Sequence, residues 1–238
     1  MFPVRDNIPH RQVPVATWTL IAINVLAFLR EISLPPRLAE QFVHVFGLIP
    51  ARYTHPDWAV GVGLDPHSYW PFLTMMFLHG GWLHIIGNMW FLGIFGDNVE
   101  DRMGPLRFLA FYLLCGVAAG LVHTVTNVNS TVPALGASGA VAGVMGAYIV
   151  MYPRARILAM FPIIFWPIFF EVPAVLYLGF WFLMQFFSGT AAVFAGQQAG
   201  GIAWWAHVGG FVTGMLTFWI FLRGPRSGLA AARTGSSG

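Results

Sequence analysis

Six apolar runs divide the chain, at roughly 13–29, 80–96, 106–126, 136–152, 172–189 and 203–222. Each is near the ~20 residues that a helix needs to cross a bilayer, and some are a little short. The pattern predicts an all-α polytopic membrane protein, a bundle of six transmembrane helices. Residues 1–12 are a polar leading segment, and residues 13–222 form one membrane-embedded unit. Residues 223–238, composed largely of Gly, Ser, Ala and Arg, read as a flexible tail. The connection 30–79 carries Phe42, Val43, Val45, Phe46, Trp58, Trp70 and Phe72, too apolar a set for a solvated loop. It reads as short helices lying in the outer interface. Segment 157–171 is apolar but holds Pro162 and Pro167, with Pro173 soon after. It reads as irregular structure leading into the fifth helix, or as an extension of that helix. No internal repeat is evident.

Composition sharpens this picture. Of 238 residues, 57% are hydrophobic and only 9% charged, against about 25% charged in an ordinary soluble domain. All twelve basic residues are arginine, and they sit between the apolar runs, so they mark topology and not a nucleic-acid surface. With the N-terminus inside, nine arginines lie on the inner side (5, 11, 102, 107, 154, 156, 223, 226, 233) and three outside (30, 37, 52). Both termini are therefore expected in the cytoplasm. A bacterial plasma membrane is expected from the compact six-span layout. The first run is long enough to remain as a helix, so no cleaved leader is expected. Cys115, the single cysteine, lies within an apolar run and reads as a buried, inert thiol.

Chemistry enters through depth. Ser138 lies sixteen residues before Arg154, and His207 sixteen before Arg223. At helical rise both are ~24 Å from the arginine that closes their run. The second, fourth and sixth helices run the same way, so the two side chains fall at one level. His84 and Asn88, one turn apart, lie eighteen and fourteen residues before Arg102 and bracket that level. Polar groups at such depth face a protein interior or a wet cavity. Nine of the twelve residues from Gly136 to Ala147 are Gly, Ala or Ser, which suits the centre of a bundle. On the sixth helix His207, Gly210 and Gly214 share a face that can approach this small-residue groove.

Each piece alone has a packing explanation. Small-residue motifs abound in membrane helices, and a histidine or asparagine can simply bond across helices. The coincidence of four polar groups at one depth points instead to nucleophilic acyl transfer, for which a hydroxyl beside an imidazole is the minimum. His123, sixteen residues after Arg107, reaches a similar depth and stands as a rival base. His79 lies nearer the surface and reads as a neighbour of the site.

These residues resemble the rhomboid family of intramembrane serine proteases. The matching pieces are residues 77–89 (Phe-Leu-His-Gly-Gly-Trp-Leu-His-Ile-Ile-Gly-Asn-Met), 96–104 with Glu100 and Arg102, 136–139 (Gly-Ala-Ser-Gly), and 206–210 (Ala-His-Val-Gly-Gly) with Gly214. The resemblance implies that Ser138 is the nucleophile and His207 its general base. It implies that His84, Asn88 and the Ser138 backbone N–H form an oxyanion hole, with no third carboxylate. It favours His207 over His123, and it implies hydrolysis of peptide bonds in or near transmembrane segments of membrane-protein substrates within the lipid bilayer. No cofactor, metal or nucleic acid is expected. Substrate entry beside the fifth helix, with 190–202 as a mobile cap, is implied too. Glu100 and Arg102 are expected to hold the inner loop and not to take part in chemistry. Two departures stand out. Trp70 is followed by Pro71 where the family has arginine, and Ala142 occupies the place where some members stack a tyrosine on the histidine. Another side chain must steady His207.

Other functions fit less well. An inactive rhomboid-like binder would not need Ser138 and His207 together. A transporter is disfavoured by the missing repeat. A zinc protease would need His-Glu-x-x-His, which is absent. A paired-aspartate protease would need two acids within spans, and only Asp97 comes near one.

Overall fold

The computed structural model describes residues 1–9, 11–163, 166–194 and 203–223. Helices occupy all six apolar runs: α1 (Val15–Ile32), α6 (Trp82–Met103), α7 (Pro105–Thr126), α8 (Ser138–Met151), α9 (Ala174–Phe194) and α10 (Trp204–Phe221). Three stretches are long and apolar enough to cross a membrane, Val15–Ile32, Pro105–Thr126 and Ala174–Ala192, and α8 is a shorter apolar helix. Leu83, Leu176, Phe187, Leu216 and Trp219 are exposed on the helix surfaces. An aqueous protein does not leave such apolar area uncovered, and lipid supplies the cover.

The small residues of α8 set the packing. A Cβ at Gly210 would lie 2.0 Å from the Gly139 carbonyl oxygen, and one at Gly214 would lie 1.9 Å from that of Gly143. The α8 and α10 backbones therefore touch where side chains would hold them apart. Gly143 also leaves room for Cys115 of α7, which is buried.

The connection 30–79 folds as α2 (Pro36–Phe46), α3 (Ala51–Thr54), α4 (Pro56–Gly61), α5 (Pro71–Thr74) and one 3₁₀ turn (Met75–Phe77). Pro71 takes the first position of α5, where a missing N–H does no harm. Met75 and Met76 then lie over Gly120 and Gly116 of α7. This connection grips the segment ahead of α8. Leu48 and Ala134 exchange backbone hydrogen bonds of 3.1 and 2.8 Å, and Gly136 N–H donates to Met75 O at 2.9 Å.

The arginine-bearing ends are tied by polar contacts. Glu100 accepts from Ala16 N (2.9 Å), Thr17 N (2.7 Å) and Thr17 Oγ1 (2.8 Å), so a carboxylate from α6 caps the N-terminus of α1. Arg102 offers its backbone carbonyl to Arg223 N–H at 3.0 Å. Gly104, at φ +81°, and Pro105 make the turn into α7.

The all-α expectation is corrected here. Residues 157–163 and 166–171 are not irregular and do not lengthen the fifth helix. They form most of a β-hairpin, β2 (Arg156–Ile163) with β3 (Trp166–Pro173), and β1 (Phe2–Asp6) from the polar leading segment adds a third strand in the order β1-β2-β3. Pro162 and Pro167, which bar a helix, face each other in register near the turn end of the ladder. The hairpin gives no alternating signal because both of its faces are apolar. β1 docks on the bundle through Trp90 Nε1–H to Pro3 O (2.6 Å), Asn98 Nδ2–H to Asp6 Oδ2 (2.9 Å), and Tyr148 O–H to the same carboxylate. The 190–202 cap falls largely outside the described residues, since 190–194 belong to α9. Of the tail, only Arg223 is described.

Candidate active site

Ser138 opens α8, two residues after Gly136, whose φ of +120° turns the chain. As a first-turn residue it has no helical carbonyl for its own N–H. His207 sits in the first turn of α10, and the close approach of α8 and α10 brings the two together: His207 Nε2 lies 2.8 Å from Ser138 Oγ.

On its other side His207 meets Gln185 of α9, with Nδ1 2.7 Å from Oε1. A carbonyl oxygen only accepts, so Nδ1 carries the proton and Nε2 is left to accept from the serine hydroxyl. The amide is buried. Trp181, one turn before Gln185, places its ring 5.9 Å from the imidazole at a 38° tilt, and Trp204 meets it edge-on at 6.5 Å. These three side chains flank His207, where Ala142 offers no ring to stack on it. Sequence reasoning missed Gln185, yet a signal existed. It is the one carboxamide in the fifth apolar run, and it lies fourteen residues after Glu171, at the depth of the other polar groups.

His84 and Asn88 face the turn before Ser138. A Cβ on Gly136 would lie 2.6 Å from His84 Nε2 and 3.4 Å from Asn88 Nδ2. The buried Asn88 Nδ2 has no hydrogen-bond partner. A donor left unsatisfied in the interior is costly unless something else comes to accept from it. His84, Asn88, Ser138, His207 and Trp181 line one cavity of about 680 Å³.

The remaining candidates make other contacts. His123 lines the same cavity, but its Nδ1 lies 3.3 Å from Asn127 Nδ2, the hydrogen-bond contact its ring makes. His79 is buried, its backbone N–H donates to Glu31 Oε2 at 3.1 Å, and its ring lies 5.2 Å from that of His84. Burial, with His84 close by, lowers its pKa to about 4, so it is a neutral neighbour.

The structure is thus a helical bundle with a hydroxyl and an imidazole in contact at the mouth of two touching helices. Residues 66–224 match the Rhomboid domain, and the chain belongs to the rhomboid family. It is 28% identical over 216 residues to the RHOMBOID-like protein 6, mitochondrial, of Arabidopsis thaliana, covering 89% of this chain and 62% of that protein. It is 33% identical over 120 residues to the Rhomboid-like protein 11, chloroplastic, of the same plant, covering 50% and 39%. It is 32% identical over 155 residues to the human Presenilin-associated rhomboid-like protein, mitochondrial, covering 61% and 36%. The chain thus spans less than two thirds of the length of each of these relatives. The expectation of a bacterial plasma membrane is overturned by them, because they are mitochondrial or chloroplastic proteins of eukaryotes. A compact layout follows from bilayer thickness, which is similar in every compartment, so it carries no information about origin.

Proposed function

We propose that this chain is an intramembrane serine endopeptidase that hydrolyses peptide bonds in or near transmembrane segments of membrane proteins, with its six helices as spans and its first loop in the outer interface. The contact of His207 Nε2 with Ser138 Oγ, at 2.8 Å, carries this reading. Ser138 Oγ attacks the scissile carbonyl carbon as Nε2 takes its proton. The tetrahedral oxyanion accepts hydrogen bonds from Ser138 N–H, Asn88 Nδ2 and His84. A donor of this kind is worth about 3–4 kcal/mol of transition-state stabilisation. His207 returns its proton to the leaving amine. Water, deprotonated by the same nitrogen, then cleaves the acyl-enzyme and frees Ser138. No carboxylate is needed, since Gln185 Oε1 holds the Nδ1–H tautomer. A helical substrate must unwind to expose its peptide bond, so small or Gly residues near the scissile bond favour cleavage.

A fluorophosphonate probe tests this reading. It labels the wild-type protein and not Ser138→Ala, and that variant, like His207→Ala, leaves a model transmembrane substrate intact. His123→Ala retains turnover. Labelling that survives in Ser138→Ala overturns the nucleophile. An active His207→Ala beside a dead His123→Ala overturns the base. A wild type that neither labels nor cleaves favours a binder of membrane proteins over an enzyme.

A further inference from the structure

The far end of the β2–β3 hairpin is exposed at each of its described residues, 161–163 and 166–170. β1 pairs with β2 only as far as Met160, so residues 161–163 and 166–168 stand beyond it as a two-stranded ribbon. From Ile157 to Phe170 the indole N–H of Trp166 is the only polar side-chain group. Phe161, Ile163, Trp166, Ile168 and Phe169 are all exposed, Trp166 at 80%.

Both faces of this ribbon are bare. Residues opposed across the ladder share a face, so Phe161, Ile168, Ile163 and Trp166 lie on one side and Phe169 with Pro162 and Pro167 on the other. A protein partner would account for one apolar face. A bilayer touches both. The polar boundary is sharp: Arg156 and Glu171 pair at 3.6 Å at the root, beside the exposed Arg154. β3 runs directly into α9, on which Val175, Leu176 and Phe180 are exposed as well.

Depth is limited by the backbone. β3 is the outer strand of the sheet, and an open edge is excluded from hydrocarbon. Pro167 and Pro173 remove two N–H groups from that strand, and the headgroup zone solvates the others. Tryptophan favours that same zone.

We propose that the hairpin tip is seated at the headgroup–acyl boundary of the phospholipid leaflet on the arginine-bearing side of the bundle, as a second membrane contact besides the helices. This contact depends on membrane residence and not on whether Ser138 is reactive. Spin labels at Trp166→Cys and Phe169→Cys report the two faces separately, and the buried Cys115 does not compete for label. In phosphatidylcholine–phosphatidylglycerol vesicles both labels collide more with oxygen than with a water-soluble nickel chelate, and a label at Arg154→Cys shows the reverse. Nickel access at 166 and 169 equal to that at 154 overturns the proposal, because the tip is then in water. Protection of either label from both reagents also overturns it, because protein then covers that face.

Discussion

Gln185 on α9 and His207 on α10 are joined by a 2.7 Å contact between an amide oxygen and Nδ1 of the imidazole. The pairing makes the position of the His207 imidazole, the base of the proposed reaction, depend on a helix that carries neither it nor Ser138. It also does with a neutral group what a carboxylate does elsewhere, which suits a site where an unpaired charge would be expensive. Gln185→Leu should therefore lower kcat about tenfold with little change in KM, the worth of one hydrogen bond of about 1–1.5 kcal/mol. The rate of fluorophosphonate labelling should fall in parallel while Tm changes little. A variant with unchanged kcat and labelling would show that Trp181 and Trp204 suffice to hold the ring.

Asn88→Ala removes the buried Nδ2 that has no partner in the resting protein. Turnover should drop by about 10²–10³ with substrate affinity largely kept, the signature of a donor used only in the transition state. A loss confined to KM would argue for ground-state substrate binding instead.

Gly210→Ala tests the helix contact. The added methyl would meet the Gly139 carbonyl oxygen at 2.0 Å, so α8 and α10 must separate. The cost is about 1–3 kcal/mol of stability, read as a lower Tm in detergent. Activity should fall further than stability, because the same separation draws His207 away from Ser138. Gly179→Ala, where nothing lies within 4 Å, is the control and should leave both unchanged.

Glu100→Ala leaves the first turn of α1 without its carboxylate. Stability should fall by at least the ~1 kcal/mol of an ordinary helix cap. Probe labelling of the folded fraction should persist, since Glu100 lies at the far end of α6 from His84. Loss of labelling with an unchanged Tm would assign Glu100 a part in the site.

Much of this was legible before any coordinates, for a simple reason. A bilayer makes depth a linear function of position along a helix, so counting from a closing arginine places a side chain along the membrane normal. Ser138, His207, His84 and Asn88 fall at one level by that count, and spaced glycines on α8 and α10 announce a close approach because an absent side chain removes the obstacle to it. Lateral position is different. The count gives His123 the same depth as His207, and only the packing of α7, α8 and α10 decides which imidazole meets Ser138 Oγ. Gln185 was hidden likewise, since the rotation of α9 determines whether one amide faces lipid or the base. The β-hairpin escaped because its strands are apolar on both faces and lack the polar alternation by which a strand is read. What an amino-acid chain states by itself is therefore burial and height, which each residue carries alone. Which neighbours meet across that height belongs to the tertiary structure, because contact depends on how whole helices rotate and pack.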